Sequence, residues 1–318
     1  MIMDIIDIVL IILGLSLFEI ITSIDNAVIN AEVLSTMSAR AKKWFLTYGL
    51  LIAVFLIRGA LPWLIVWLTN LDLGPLGAFT ATFSSDPRVM YSIQQSRPML
   101  LMGGGVFLFL IFLHWLFLEP KYFGLRGERF FQKHGVWFYA AASVFLMVLT
   151  WLTIGQHPYV AFAAVVGSAA FFITHGFKEK AEQAEQDLMH SRAIGDISKV
   201  VYLEIIDASF SVDGVLGAFA FTLSIPLIII GNGIGAFALR ELTISNINRI
   251  KKYKYLKNGA MYSILFLGMI MMSDSFGVHI PQWFSPFVTF MTVGYFLWKS
   301  IRENKKEATL KLSRKRNP

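Results

Sequence analysis

Glu19-Ile-Ile-Thr-Ser-Ile-Asp25-Asn-Ala27 and Asp207-Ala-Ser-Phe-Ser-Val-Asp213-Gly-Val215 are one nine-residue phrase written twice. Each copy sets an acid six residues ahead of an aspartate, with a serine two before that aspartate: Ser23 in the first, Ser211 in the second. The likeness runs outward from there. Phe55-Leu-Ile-Arg58-Gly-Ala-Leu61 resembles Phe237-Ala-Leu-Arg240-Glu-Leu242, and a looser echo joins residues 105–113 to 259–267. Three consecutive segments therefore recur in order, the mark of an internal repeat.

The surroundings of these acids are apolar. Of 318 residues 56% are hydrophobic and only 15% charged, and the mean hydropathy is +0.60. A helix crossing a bilayer needs about 20 mostly apolar residues. The chain offers nine such stretches, near 8–34, 44–69, 99–118, 136–155, 158–175, 200–223, 225–246, 258–275 and 283–301. This composition excludes a soluble enzyme. The absence of cysteine excludes disulfides, thiolate nucleophiles and soft thiolate metal sites. Residues 1–7 are acidic and lack the basic start of a cleaved signal peptide, so the first apolar run is expected to remain as a span.

Lysine and arginine collect in cytoplasmic loops. With nine crossings, 24 of the 28 fall in the odd-numbered loops and the carboxyl-terminal tail, while the even-numbered loops hold only Arg88 and Arg97. The expected orientation is amino terminus outside and carboxyl terminus cytoplasmic, in a bacterial inner (plasma) membrane. The net charge of +7 is thus read as a topology and anionic-lipid device, not as a nucleic-acid surface. Residues 70–98 contain Gly74, Pro75, Gly77 and Pro87, too irregular to span but long enough to cover an outer vestibule.

The two copies begin at the first and sixth spans, an odd number of crossings apart, so they point in opposite directions. The expected fold is all-α: a polytopic membrane helical bundle of about nine transmembrane helices with a 3+3 inverted repeat. Residues 1–118 form the first repeat, 119–199 a two-helix hairpin with a cytoplasmic loop, 200–275 the second repeat, and 276–318 the last helix and basic tail. Inverted repeats are common in secondary transporters, with the site at the midplane between them.

Each charge at the middle of a spanning helix costs at least about 2.5–3.5 kcal/mol on insertion scales. Glu19, Asp25, Asp207 and Asp213 must therefore face one another, water or a cation. Six helical residues turn through about 600°, which leaves Asp25 about 120° from Glu19. Either the helix bends near residues 23–26, or the acids flank a ligand between the repeats. Four acids and the two intramembrane arginines, Arg58 and Arg240, leave a deficit of two charges that a dication would neutralise. Glu19, Asp25, Asn26, Asp207 and Asp213, with Ser23 and Ser211 in support, form a hard oxygen set suited to manganese, calcium or magnesium. Arg58 and Arg240 would balance the charge of the empty site. The blander alternative makes the acids and arginines structural ion pairs.

At these residues the sequence resembles the TerC family of integral membrane proteins, in the LysE-like transporter group. Glu19 to Asn26 matches the family's first motif, a glutamate and five residues before Asp-Asn; Asp207 and Asp213 match the paired aspartates of its second. The resemblance spans roughly residues 10–70 and 200–275. It implies efflux of a metal ion, manganese above all, along a path lined by these acids. The second motif usually continues Asp-Ser-Ile-Pro, whereas this chain has Asp213-Gly-Val-Leu.

Other signals weigh less. Glu204, three residues before Asp207, is either an intake ligand on the cytoplasmic side or a headgroup-level polar residue. Glu241 is read as a partner for Arg240. His114 reads as a packed or proton-handling residue ahead of a ligand, and Met269, Met271 and Met272 as packing. No zinc-protease helix, phosphate-binding loop or serine-hydrolase elbow is present, so no organic cofactor is expected and transport must draw on an ion gradient or the membrane potential. The expected function is export of a divalent cation as substrate. An intramembrane aspartyl hydrolase and a non-transporting assembly scaffold are the alternatives.

Overall fold

The computed structural model describes residues 4–316 apart from 50, 53, 55–57, 81–86, 122–123, 156, 191–194 and 251, and every regular element among them is helical. The helices are α1 (Ile5–Thr22), α2 (Ile24–Ser35), α3 (Ala39–Trp44), α4 (Arg58–Thr69), α5 (Gly74–Thr80), α6 (Pro87–Leu118), α7 (Arg126–Lys133), α8 (Phe138–Ile154), α9 (Pro158–His190), α10 (Asp196–Ala218), α11 (Ile225–Ile250), α12 (Leu256–Ser275) and α13 (Phe284–Arg316). A π turn, Phe45–Gly49, follows α3.

Five helical stretches are long and apolar enough to cross a bilayer: Ile5–Thr22, Tyr91–Leu118, Gly135–Ile154, Pro158–Lys180 and Ile225–Leu242. They mark the chain as a membrane protein. Their outward faces carry exposed Met147 and Trp151 on α8 and Phe162 and Ile173 on α9, apolar surface that only lipid or another chain would cover. The other expected crossings fall on the Phe45–Gly49 turn with α4, and on α10, α12 and α13, which are shorter or more polar. Residues 50, 53 and 55–57 of the second expected crossing lie outside the described residues.

One of the two arrangements open to the first apolar run is present, and one boundary differs from the sequence reading. The first apolar run is not one helix: it divides at Ser23, whose φ of −98° and ψ of 4° leave the α basin. Ser23 N–H still donates to Glu19 O at 3.1 Å, and Ala27 N–H to Ser23 O at 2.9 Å, so the break is a bend and not an unwound loop. The helix of the third expected crossing, α6, starts at Pro87, not near 99, because proline is well suited to the first turn of a helix, and it runs through the internal Pro98. The described part of the expected vestibule is therefore the turn Leu71–Leu73, α5 and the first turns of α6. Residues 81–86 of it lie outside the described residues.

α6 lies inside the bundle, and small residues let its neighbours approach. A Cβ at Gly105 would come within 2.9 Å of Gly268 O on α12, and one at Gly167 of α9 would collide with Gly103 O. The same device joins α1 to α11. A Cβ at Gly231 would lie 2.5 Å from that of Leu15, and one at Gly235 would lie 2.6 Å from Ser16 O and 2.7 Å from Glu19 Cβ. In lipid, where apolar burial drives helix association only weakly, such close packing supplies the attraction. The start of α10 is tied to the turn between α2 and α3: Ser38 N–H donates to Asp196 Oδ2 at 3.2 Å, and Lys199 Nζ to Thr36 Oγ1 at 2.9 Å. The Ser38 hydrogen bonds hold the Asp196 carboxyl below its usual range.

Candidate functional site

The packing of α1 on α11 places Glu19 within the bundle, 1% exposed. Arg58, the first residue of α4, reaches it from the side and is 2% exposed. Arg58 Nε and Nη2 both donate to Glu19 Oε1, at 3.0 and 2.6 Å. Ser23 Oγ donates to the same oxygen at 3.0 Å. Across the cluster, Arg58 Nη1 lies 3.6 Å from Asp207 Oδ2 on α10. Arg240 of α11 places its Nη2 3.6 Å from that Asp207 oxygen and 3.6 Å from Glu204 Oε1. Acids and arginines thus alternate from Glu19 through Arg58, Asp207 and Arg240 to Glu204.

The far end of this row depends on the π turn. Arg240 donates to the Phe45 carbonyl and lies with its guanidinium 4.3 Å over the Phe45 ring. Gly49 leaves the room: a Cβ there would overlap the Glu204 carboxylate.

One face of the row is unsatisfied. Glu19 Oε2 and Asn30 Oδ1 are buried with no hydrogen-bond partner, as are Arg58 Nη1 and Arg240 Nη2. These four residues border a cavity of about 30 Å³ lined also by Ser23, Ala27 and Asp207. A space of that size admits about one water-sized guest. Buried polar atoms without a partner are costly, and a guest in this space would meet carboxylate and amide oxygens on one side and guanidinium nitrogens on the other. Asn30 was not singled out from the sequence. The signal was there, because eleven residues beyond Glu19 is about 20° around a helix from it.

Glu19, Ser23, Arg58, Asp207, Arg240 and Glu204 are brought together. Ser211 and Asp213 are not. Ser211 Oγ donates to the Asp207 carbonyl of its own helix at 2.5 Å. Asp213 Oδ2 faces Lys178 Nζ of α9 at 3.8 Å. The reason is helical geometry. α10 is unbroken, so acids six residues apart diverge by about 120°, and Asp207 and Asp213 serve different sides. Asp25 and Asn26 are on α2; their side chains lie outside the described residues. Among the described residues, no three histidine or acidic side chains converge as a ready metal site; in the cluster, guanidinium groups lie against the acids instead.

A second, larger cavity of about 300 Å³ lies between α6, α12 and the segments that follow α10 and precede α13. Arg97 and Asp274, paired at 2.6 Å, contribute to its wall. Phe221 lines it and packs on Phe18, the residue before Glu19, with ring centroids 5.7 Å apart.

A family model described as a protein of unknown function (DUF475) matches residues 24–307. The match takes in Asn30, Arg58, Asp207 and Arg240 and begins after Glu19. No curated protein and no solved structure matches the chain.

Proposed function

The chain belongs to the DUF475 family, and we propose that it is a membrane transporter that exports a divalent cation, manganese by preference, through the buried acid and arginine cluster. In this reading the helices form nine crossings with a 3+3 inverted repeat, the amino terminus lies outside, the carboxyl terminus is cytoplasmic, and the bilayer is a bacterial inner membrane. The observation that carries it is the meeting of the two halves of the repeat. Glu19 and Asp207, equivalent in the duplicated phrase, are held by one guanidinium, that of Arg58, beside a one-guest cavity with two unsatisfied oxygens.

Glu19, Asp207 and Glu204, if ionised, outweigh Arg58 and Arg240 by one negative charge. Asp25, with Asn26 beside it, supplies the second. The arginines act as resident cations: the dication displaces them from the carboxylates on arrival, and they return when it leaves. That exchange keeps the acids paired in both states, as buried charge requires. Rocking one repeat against the other would open the site to each side in turn. A shared-proton aspartyl hydrolase is less well supported, because it needs two carboxyl groups in direct contact, whereas the Arg58 guanidinium stands between Glu19 and Asp207.

The test is manganese and calcium flux in proteoliposomes for the native chain, Glu19→Gln and Asp207→Asn. Flux in the native protein that falls at least tenfold in both variants is expected. Equal flux in all three removes the cluster from transport.

A further inference from the structure

Away from the cluster, two half-buried histidines meet between α6 and α9. His114 on α6 and His175 on α9 have ring centroids 3.9 Å apart at 57°. They are enclosed by aromatic rings: His114 lies edge-on to Phe138 at 5.5 Å, and His175 stacks on Phe171 at 5.6 Å and 9°. From the sequence, His175 read as one end of a span and His114 as a lone ring. Only the crossing of α6 and α9, permitted by Gly103 and Gly167, brings them into contact.

Charged groups stand around this pair. Along α9, Glu179 Oε1 lies 3.4 Å from His175 Nε2, and Lys178 follows one turn on. Lys178 in turn meets Asp213 of α10. At the end of α6 stand Glu119, held by Lys257 at 2.6 Å, and Lys121; α8 contributes only the Phe138 ring. Imidazole is the side chain that binds and releases protons near neutral pH. Two imidazoles in contact hold a single extra proton between them, because like charges so close repel strongly. Glu179 is exposed and opens a route to water. At the other end, Asp213 adjoins Gly214, whose Cβ position is 2.9 Å from Glu19 Oε2. One helix, α10, therefore carries Asp207 into the acid and arginine cluster and Asp213 into the histidine group.

We infer that the His114–His175 pair, with Lys178 and Asp213, is a proton-binding site separate from the cation cluster and coupled to it through α10, so that the ion exchanged for the exported dication is a proton. The inference rests on the transport reading for its role, but not for the existence of the site. When Asp207 changes partner from arginine to cation, α10 shifts, and with it the Asp213–Lys178 contact that adjoins the imidazoles. A proton taken up on a ring nitrogen from the far side would then be released through Glu179 to the cytoplasm as the pair returns to neutrality.

Two measurements test this. Histidine-labelled full-length protein in detergent micelles is titrated by NMR from pH 8 to 5, with His114→Gln and His175→Gln used for assignment. The expected result is a joint titration in which the pair takes up one proton where two isolated rings would take up two, with a displaced midpoint in Asp213→Asn. Independent titration of the two rings, or no titration of either, overturns the inference. Proteoliposomes holding a pH-sensitive dye then follow proton movement driven by a manganese gradient. The double variant His114→Gln/His175→Gln is expected to retain manganese-induced thermal stabilisation but lose proton movement by tenfold or more. Proton movement equal to native overturns it. Native vesicles that move no manganese would sink the transport reading alone; paired titration would then still establish the proton site, and independent titration would end it.

Discussion

Arg58 places two nitrogens on a single oxygen of Glu19, Oε1, at 3.0 and 2.6 Å, and leaves the other oxygen, Oε2, buried with no partner. A guanidinium placed for structure alone would be expected to take both oxygens in a fork. This one satisfies half of the carboxylate and turns its remaining nitrogen toward Asp207. The free oxygen lies beside Gly214 of α10, whose Cβ position is 2.9 Å from it.

Removing that guanidinium should be costly, and a metal should repair the damage. Arg58→Leu leaves Glu19 and Asp207 without their shared counter-ion, and breaking a buried pair costs about 3–5 kcal/mol. A lower thermal midpoint in detergent is expected, with a larger recovery on adding manganese than the native protein shows. A variant that manganese stabilises no more than native would contradict the exchange of arginine for cation.

Dication binding should depend on Glu19 and Asp207 and not on Asp213. A ligand present at a hundred times its Kd stabilises the folded state by about 2.7 kcal/mol. Manganese is expected to raise the midpoint of native protein and of Asp213→Asn, and to leave Glu19→Gln and Asp207→Asn unmoved. Loss of the shift in Asp213→Asn would return that acid to the cation shell.

Gly49→Ala tests the far end of the row. The added methyl overlaps the Glu204 carboxylate, which must swing away from Arg240. Overpacking of this kind costs about 1–3 kcal/mol. The thermal midpoint should fall, and its restoration by the companion change Glu204→Ala would locate the fault in that contact; a second-site change that restores nothing would place it elsewhere.

A stability change with pH should report on Lys121. Burial pushes its ammonium down to about 8, against the pull of Glu119, and it lies over the Trp115 ring at 3.6 Å. The unfolded chain holds this proton up to the ordinary lysine range near 10.4. Between those two values the unfolded state binds more protons, so the contribution of Lys121 to stability rises with pH and is unfavourable below about 8. The thermal midpoint of native protein relative to Lys121→Met should climb from pH 8 to 10. A constant difference would mean that Lys121 keeps its charge.

Much of the site was legible because duplication is a property of order along the chain. The phrase around Glu19 and its echo around Asp207 pointed to the acids, and the matching Phe-x-x-Arg segments to Arg58 and Arg240. Asn30 could have been added from helical spacing. The phrase treats both acids of each copy alike, while only the first copy lies on a bent helix, so order along the chain could not separate Asp213, which faces Lys178, from Asp207. The fifth crossing was expected to end at residue 175 because hydropathy falls there, whereas α9 continues to His190 and carries Lys178.

The amino-acid order by itself determined that this is a helical membrane protein with ionisable residues inside apolar segments. Hydropathy and repetition are local quantities, and no contact is needed to evaluate them. Which acids share an arginine, which one turns to Lys178, and that two distant histidines touch were decided by tertiary structure alone. Those outcomes depend on the rotation of each helix about its axis and on how closely glycine lets its neighbours approach, and both are fixed only when the helices pack together.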